Sequence, residues 1–320
     1  MPPSAVILTA LPVEYRAVRE HLDSLKEELH SKGNVYEKGI FAVNGLSIEV
    51  GIVQLRKGNV RAGVQTERAI AHFKPNYVFF VGVAGGVKDV SLGDVVAADK
   101  VYGYESGKAG SLFCARPDMG IPSFGLIERA QAEARKGDWL RRIKGDAAKP
   151  SPIASIGPIA AGEKVISSKR STTFQFLKSN YGDTIAVEME GHGFLEAVHA
   201  NREVSALVVR GISDLINHKS TSDKAGWQEV ASRNASAFTF EILAKLIETG
   251  EIDATSNIPD DVQKLFDNWK NLRDSGKYEE AKSVAQETMV LAEQYKNVLA
   301  IAHAKYCMAV ILREWDKKPA

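Results

Sequence analysis

The chain has 320 residues, of which 44% are hydrophobic and 25% charged, as expected for a globular protein with one large core and an appendage. Lysine and arginine total 41 against 40 acidic residues, so bulk charge does not favour nucleic acid or an anionic membrane as partner. Cys114 and Cys307 lack metal-ligand spacing, and no apolar run approaches the roughly 20 residues of a membrane span. We expect a cytoplasmic protein without a disulfide framework.

Short apolar runs alternate with amphipathic runs from Ala5 to about Gly250. AVILTA, at 5–10, lacks a basic leader and predicts a strand rather than a signal peptide. The next run, PVEYRAVREHLDSL at 12–25, has apolar residues at near-helical spacing and predicts a helix. YVFFVGVAGG, at 77–86, is apolar and then glycine-rich, which is typical of a buried strand that ends in a tight loop. With further strands expected at 46–55, 94–102 and 205–214, the pattern predicts an α/β domain around a mixed sheet.

The character of the sequence changes near residue 250. We predict an α/β domain at 1–250, a linker at 251–262 and helices at 263–320, where Leu272, Gly276, Tyr278 and Ala281 have the spacing of a tetratricopeptide repeat. One and a half repeats bury their faces poorly. Three arrangements therefore stay open: packing on the α/β domain, the start of a longer repeat array, or a hairpin that covers an exposed edge.

Three carboxylates stand at predicted strand ends or in the loops beyond them: Glu14, Glu190 and Asp214. The carboxyl ends of strands in such sheets are where sites gather. Each residue could also have a purely structural role, because Asp214 with Ser213 could cap a helix, Glu190 could form a salt bridge and Glu14 could favour a helix dipole. The glycine loop at 82–86 could be a plain turn, and it lacks both the Walker and the dinucleotide-binding patterns.

Four segments in order, ALPVEYRAV, VGVAGGVKDVSLGDVV, AVEMEGHGF and VVRGISD, resemble the nucleoside phosphorylase and nucleosidase superfamily. The resemblance covers about residues 5–248 and is closest to its methylthioadenosine/S-adenosylhomocysteine nucleosidase branch. It implies a three-layer α/β sandwich around a mixed, partly barrel-like sheet, followed here by a small all-α segment. It also implies a homodimer or larger homo-oligomer formed through the catalytic domain, and cleavage of an N-glycosidic bond without metal or organic cofactor.

The resemblance assigns roles to particular residues. Asp214 matches the general acid that protonates the departing purine, and burial at a strand end is expected to keep its proton. Glu190 matches the residue that binds the ribose hydroxyls, Met189 would pack on the ribose, and Glu14 would orient and deprotonate the attacking water. Further contacts to the base are expected from Ala84, Gly85, Gly86, Val165, Ile166, Glu188 and Ser213.

Departures from the family pattern bear on the nucleophile and on the substrate. Phe79 and Phe80 stand where the phosphorylases carry an arginine, which favours water over phosphate. Arg56 and Lys57 enlarge a loop that is compact in the nucleosidases, and we treat them as candidates for binding phosphate, with a solvated turn as the alternative. Val165 stands where the nucleosidases place a stacking phenylalanine.

The function predicted from these residues is hydrolytic release of adenine from a nucleoside or nucleotide, with ATP narrowly preferred. The TALPVEYRAV opening and the EKVISS segment at 163–168 are similar to nucleosidase domains fused to repeat or signalling modules in microbial defence proteins. A methylthioadenosine/S-adenosylhomocysteine nucleosidase, a purine nucleoside phosphorylase and a non-catalytic nucleoside sensor stay open, and the C-terminal helices could bind a protein partner.

One predicted helix carries residues that could form a metal site. His192, Glu196 and His199 fall on one face of it, which could bind a metal ion. A metal there would conflict with the sugar-binding role of nearby Glu190, so we expect ordinary helix-surface histidines and no metal.

Overall fold

The computed structural model describes residues 4–111, 113–145, 150–216, 226–252, 255–256, 260–294 and 298–315. The chain forms two compact units. The first contains Met1–Phe41 and Glu49–Leu246, and the second contains Ala42–Ile48 and Ile247–Ala320.

The described strands and helices alternate along most of the chain. The strands are β1 Ala5–Thr9, β2 Asp23–Leu29, β3 Val35–Val43, β4 Leu46–Gln54, β5 Tyr77–Gly86, β6 Val95–Gly103, β7 Gly107–Ala109, β8 Phe113–Ala115, β9 Met119–Gly120, β10 Ala154–Ala161, β11 Ala186–Glu188, β12 Ser205–Leu215 and β13 Thr255–Ser256. The helices are α1 Pro12–Arg19, α2 Asn59–Phe73, α3 Phe124–Lys136, a 3-10 helix Asp138–Arg142, α4 Thr172–Asn180, α5 Gly191–His199, α6 Trp227–Glu248, α7 Asp260–Asp274, α8 Tyr278–Gln294 and α9 Val298–Trp315.

The main sheet is mixed and partly closed. Its strands run in the order β11, β10, β6, β12, β5, β1, β4, β3, β2, and β11 also pairs with β5, so that five strands form a ring. Strand β12 is parallel to β5 and antiparallel to β6, whereas β11 is parallel to β10 and antiparallel to β5. The predicted α/β class, a mixed and partly barrel-like sheet with helices around it and C-terminal helices, is confirmed.

The most apolar segments of the sequence form the centre of this sheet. Residues 5–8 of β1, 78–81 of β5 and 206–209 of β12 are almost completely buried. Both faces of these strands are covered, which explains why their sequences are continuously apolar rather than alternating. Phe80 on β5 packs against Phe194 on α5, with ring centroids 5.4 Å apart. Because these strands are buried, the polar residues that follow their apolar runs lie at one defined edge of the sheet.

The helix predicted across residues 12–25 is wrong in its second half. Helix α1 ends at Arg19, and Asp23–Leu29 is strand β2, which pairs with β3 in antiparallel register. Most of β2 is charged and exposed, and its pairing is supported by an ion pair between Lys38 and Glu28 at 3.4 Å. The local spacing of apolar residues suggested a helix. The conformation of this segment is instead determined by its pairing with β3, which lies further along the chain.

Strand β12 contains a bulge close to its carboxyl end. Ile212 pairs with Ala84 and Asp214 pairs with Gly85, so Ser213 is an extra residue on β12. A bulge of this kind changes the direction of the side chains that follow it.

The second unit consists mainly of α7, α8 and α9. An apolar cluster holds them together, and its fully buried members include Val262, Ala281, Ala300, Cys307 and Ile311. Strand β13 pairs with the start of β4, and both β13 and the first residue of α7, Asp260, lie in the segment predicted as linker.

The residues that suggested a tetratricopeptide repeat lie within these helices. Leu272 and Tyr278 pack against the apolar cluster, and Gly276 has φ +74° just after the end of α7. The repeat assignment itself stays a prediction. No helix in the described part of the chain combines the length and apolar character needed to cross a bilayer.

Candidate active site

One cavity in the first unit collects most of the predicted site residues. It lies where β1, β5, β11 and β12 end. The predicted residues that line it are Glu14, Lys57, Ala84, Gly85, Val165, Ile166, Glu188, Met189, Glu190, Ser213 and Asp214. Gly86 and Arg56 do not line it.

The Glu14 carboxylate is held by main-chain amides. Its Oε2 accepts hydrogen bonds from Ala10 N at 2.7 Å and Leu11 N at 2.8 Å, and its Oε1 accepts one from Val83 N at 2.8 Å. Burial raises the pKa of Glu14, while the positive charge of Arg210 and these amide hydrogen bonds oppose the rise. Since a carboxylate oxygen can accept two hydrogen bonds, Oε1 can also accept one from a water molecule in the cavity.

Gly82 allows Glu14 to reach this position. A Cβ atom at Gly82 would lie 2.6 Å from Glu14 Oε1 and 2.9 Å from Arg210 Nη1. Any side chain here would therefore displace one of these charged groups. Glycine is therefore favoured at position 82 by close packing and not by its backbone angles.

Glu188 lines the cavity and accepts several hydrogen bonds within the protein. Its Oε2 accepts a hydrogen bond from Arg210 Nη2 at 2.7 Å and from Glu190 N at 3.1 Å, and its Oε1 accepts one from Gly191 N at 2.9 Å. The carboxylate thus binds the amides at the start of α5. The resemblance predicts that Glu188 contacts the base. Its described hydrogen bonds connect it to Arg210 and to the start of α5.

Arg210 completes this buried group. Its guanidinium lies 3.9 Å from the centre of the Phe80 ring and Nη1 donates to Phe80 O at 3.3 Å. The sequence does not predict its ion-pair partner, because nothing near Arg210 in the chain signals a contact with Glu188.

Glu190 lies at the N-cap position of α5, where its carboxylate meets the start of α2. Its Oε1 accepts a hydrogen bond from Gly58 N at 3.0 Å. Asn59 Oδ1 accepts one from Gly193 N at 2.9 Å, which joins the first turns of the two helices. Burial and the nearby Glu188 carboxylate raise the pKa of Glu190 to about 7, against the opposing effect of Arg210.

Asp214 follows the bulge in β12 and is 2% exposed. Its Oδ2 accepts a hydrogen bond from Ser213 Oγ at 3.2 Å, and Ser213 Oγ also lies 3.4 Å from Ala84 O. A Cβ at Gly85 would lie 3.3 Å from Asp214 Oδ1, so the neighbouring strand approaches the carboxylate closely. The bulge places Ser213 and Asp214 together on the cavity wall.

The basic residues around the cavity differ from the prediction. Lys57 lines it, as does Lys164, whose Nζ lies 2.6 Å from Glu105 Oε1. Arg56 is exposed and outside the lining. Val165 lines the cavity with 60% of its surface exposed.

Other lining residues had no assigned role in the sequence: Ala10, Leu11, Val83, Val187 and Gln228. The first four lie inside the quoted segments ALPVEYRAV, VGVAGGVKDVSLGDVV and AVEMEGHGF, so those segments were a usable signal. Gln228 belongs to α6, and no motif marks it.

The cavity carries no donor set typical of a transition metal. Among the described residues, its lining contains no histidine or cysteine. His192 has a side chain that is only 15% exposed and lies near Asp118 and Glu196. It therefore departs from the expected surface histidine, whereas His199 is exposed.

The family follows from a comparison with known protein families. The model described as Phosphorylase superfamily matches residues 4–247. The chain belongs to this superfamily. The matched range contains every predicted site residue.

Curated relatives within the superfamily include two kinds of nucleosidase. The chain is 31% identical over 272 residues to the ATP nucleosidase Cap17 of Escherichia coli, covering 75% of this chain and 51% of that protein. It is 26% identical over 253 residues to a 5′-methylthioadenosine/S-adenosylhomocysteine nucleosidase of Desulfotalea psychrophila, covering 76% and 97%. The chain thus spans about half the length of the first relative.

Solved structures in the superfamily share the fold. The structure of the 5′-methylthioadenosine/S-adenosylhomocysteine nucleosidase of Colwellia psychrerythraea in complex with adenine matches with a TM-score of 0.63 and 22% identity, covering 77% of this chain and 96% of that one. The futalosine hydrolase of Helicobacter pylori matches with a TM-score of 0.62 and 23% identity, covering 76% and 97%.

Proposed function

We propose that this protein hydrolyses the N-glycosidic bond of an adenine nucleoside or nucleotide and releases free adenine. The observation that carries the proposal is the meeting of Glu14, Glu190 and Asp214 in one cavity, although Glu14 follows β1, Glu190 follows β11 and Asp214 lies in β12. Membership in the superfamily and the names of the curated relatives support the same reaction class.

Asp214 acts as the general acid. Breaking the bond between ribose and adenine leaves negative charge on the base, so a proton delivered to the purine ring lowers the barrier. The side chain lines the cavity, and Ser213 Oγ donates to its Oδ2. In the proposed complex the base lies on the side of this carboxyl that Gly85 approaches.

Glu14 activates the water and Glu190 binds the sugar. Amide hydrogen bonds fix the position of Glu14, and its Oε1 has room for one more donor. As the oxocarbenium ion forms on the ribose, water held at Oε1 attacks its C1′ and transfers a proton to Glu14. Glu190 accepts hydrogen bonds from the ribose hydroxyls in its charged form, and Met189 packs beside the sugar.

Water rather than phosphate is the proposed nucleophile. Arg210 is the cation nearest to Glu14 in this network, and its guanidinium is already held by Glu188 and by the ring and carbonyl oxygen of Phe80. A phosphate ion that paired with Arg210 would take it from Glu188 and leave Glu188 as a buried charge without its partner.

ATP is the preferred substrate in this proposal. Lys57 and Lys164 line the same cavity as Glu190, and ammonium groups there can pair with a 5′ phosphate chain. The name of the E. coli relative, an ATP nucleosidase, agrees. We further propose that depletion of adenine nucleotide makes the protein a defence effector.

A thioether nucleoside is the second candidate substrate. Lys164 is paired with Glu105, and Arg56 lies outside the lining, so the positive charge available to phosphate is smaller than the sequence suggested. The D. psychrophila relative, named for methylthioadenosine and S-adenosylhomocysteine, is covered over 97% of its length.

Chromatography of released adenine separates these functions. The purified full chain is incubated with ATP, AMP, adenosine, methylthioadenosine or S-adenosylhomocysteine, each with and without inorganic phosphate. Adenine from ATP without phosphate is the expected result. Adenine only from the thioethers would replace ATP by the second candidate, and a requirement for phosphate would show phosphorolysis. No adenine from any substrate would favour a nucleoside sensor.

We also propose roles for the rest of the molecule. The first unit forms a homodimer or larger homo-oligomer, in keeping with the superfamily resemblance. Helices α7, α8 and α9 act as tetratricopeptide-like modules that bind a protein partner, as expected for a fusion of nucleosidase and repeats. Light scattering of the full chain measures the first property, and a truncation that ends at residue 250 tests whether the helices are needed for catalysis.

A further inference from the structure

A cluster of three side chains outside the candidate active site has the composition of a metal site. His192 Nε2 lies 3.5 Å from Asp118 Oδ2 and 3.9 Å from Glu196 Oε1. The three potential ligand atoms all lie within 4.8 Å of one another. His192 Nε2 is shielded from solvent and makes no hydrogen bond to any described residue.

These separations suit a shared cation better than direct hydrogen bonds. Both exceed the range of about 2.7–3.2 Å for an N–H···O hydrogen bond. Ligands bound tetrahedrally to zinc at about 2.1 Å lie about 3.4 Å from each other. The distance from His192 Nε2 to Asp118 Oδ2 is close to this value, and the distance from His192 Nε2 to Glu196 Oε1 is about 0.5 Å longer.

We propose that Asp118, His192 and Glu196 bind one Zn²⁺ ion, with water as the fourth ligand. Imidazole nitrogen and carboxylate oxygen are both ordinary zinc ligands. The side chains of Asp118 and Glu196 are each 55% exposed, so an ion and its water can enter from solvent. The two carboxylates provide the negative charge that balances the ion.

The backbone places the three residues next to one another. His192 and Glu196 are one helical turn apart on α5, which puts them on the same face. Gly103 N donates to Asp118 O at 2.8 Å, and β9 begins at the next residue and pairs with β6. A Cβ at Gly103 would lie 2.9 Å from the imidazole of His192, so the strand packs directly against the ring.

The zinc ion would join α5 to the segment before β9. His192 lies in the first turn of α5, close after Glu190. None of the three ligands lines the candidate active site, so the proposed role of the metal is structural. The proposal does not depend on the identity of the substrate.

Isothermal titration of the full chain with zinc chloride, after treatment with a chelator, tests this site. We expect one zinc ion per chain and a rise in the unfolding temperature when zinc is present. Asp118→Asn and His192→Gln should each weaken zinc binding by at least about 10-fold, because each removes a ligand. His199→Gln, an exposed change on the same helix, should leave the affinity unchanged.

Two results would overturn the proposal. One is the absence of zinc binding to the wild-type chain. The other is zinc binding that both Asp118→Asn and His192→Gln leave intact, which would place the ion elsewhere. Asp118 is an exposed side chain, so its variant keeps the test valid even if the His192 variant does not fold.

Discussion

Arg210 and Glu188 form an ion pair inside the first unit, with Arg210 Nη2 2.7 Å from Glu188 Oε2 and both side chains 2% exposed. The pair links β12 to the end of β11, and through the amides of Glu190 and Gly191 it also holds the start of α5. Three of the elements that carry the candidate site are thus tied together by one buried charge pair. Loss of this ion pair should lower both the stability of the protein and its activity.

Arg210→Met should lower the free energy of unfolding by about 3–5 kcal/mol, because Glu188 would remain as a buried charge without a partner. The double variant Arg210→Met with Glu188→Gln should lose less. Urea denaturation measures both. Arg141→Met, which removes an exposed side chain 3.5 Å from Asp138, should change the free energy of unfolding by no more than about 0.5 kcal/mol. Equal losses in the single and double variants would refute a net pairing effect.

Asp214→Asn should reduce the rate of adenine release by about 10²–10⁴-fold, the usual contribution of a general acid. The amide has nearly the same shape as the carboxylic acid but cannot deliver a proton. Single-turnover assays measure the effect, and circular dichroism should show an unchanged fold. A variant with near wild-type turnover would remove Asp214 from the mechanism.

Gly82→Ala should reduce turnover by about 10²-fold, because its Cβ would displace Glu14 or Arg210 and such small shifts are costly in catalysis. Gly125→Ala is the matched control, since a Cβ there has no neighbour within 4 Å. It lies in α3 and should slightly stabilise the helix. Equal activities of the two variants would argue against a constrained Glu14.

Glu190 should make stability depend on pH. Its pKa rises from an ordinary value of 4.5 to about 7 in the folded state, so the folded chain holds the proton more tightly than the unfolded chain. This stabilising contribution is fully present below about pH 4.5 and is lost as the pH rises through about 7.

Glu190→Gln should therefore flatten part of the decline in stability between these pH values. Urea denaturation across the pH range measures it, with exposed Glu203→Gln as control. If Glu190→Gln and the wild type decline in parallel, Glu190 is not the titrating group.

Lys57→Met should raise KM for ATP by about 10-fold, as expected for the loss of one charge-assisted hydrogen bond. KM for adenosine should not change, since adenosine has no phosphate. Arg56→Met should affect neither substrate, because Arg56 does not line the cavity. Steady-state assays with both substrates decide between these outcomes. An equal effect of Lys57→Met on ATP and adenosine would exclude a phosphate contact.

The sequence predicted the fold where strands are buried on both faces. β5 and the first half of β12 contain uninterrupted apolar runs, at 77–81 and 206–209, that are too short for most helices, and such a run is typical of a buried strand. The prediction for Asp23–Leu29 was wrong because the charged residues of this segment carry no strand signal of their own. Its pairing with β3 depends on residues further along the chain. Such non-local pairing is not visible in periodicity.

The sequence predicted that the three carboxylates lie together, but it did not predict their hydrogen-bond partners. The rule that sites form at the carboxyl ends of strands brought Glu14, Glu190 and Asp214 together, as the cavity does. The hydrogen bonds of Glu188 with Arg210, and of Glu190 with Gly58, join residues far apart in the chain. Arg56 and Lys57 are neighbours with the same charge, and only three-dimensional placement separates them.

The extra residue in β12, Ser213, affects the direction of the Asp214 side chain. Neighbouring side chains in a regular strand point to opposite faces, yet Ser213 and Asp214 both line the cavity because the register shifts between Ile212 and Asp214. The direction of the Asp214 side chain therefore depends on how many residues the strand contains as well as on which residues they are. A chain that kept all three carboxylates but lacked one residue here would preserve the recognisable motif and lose the geometry.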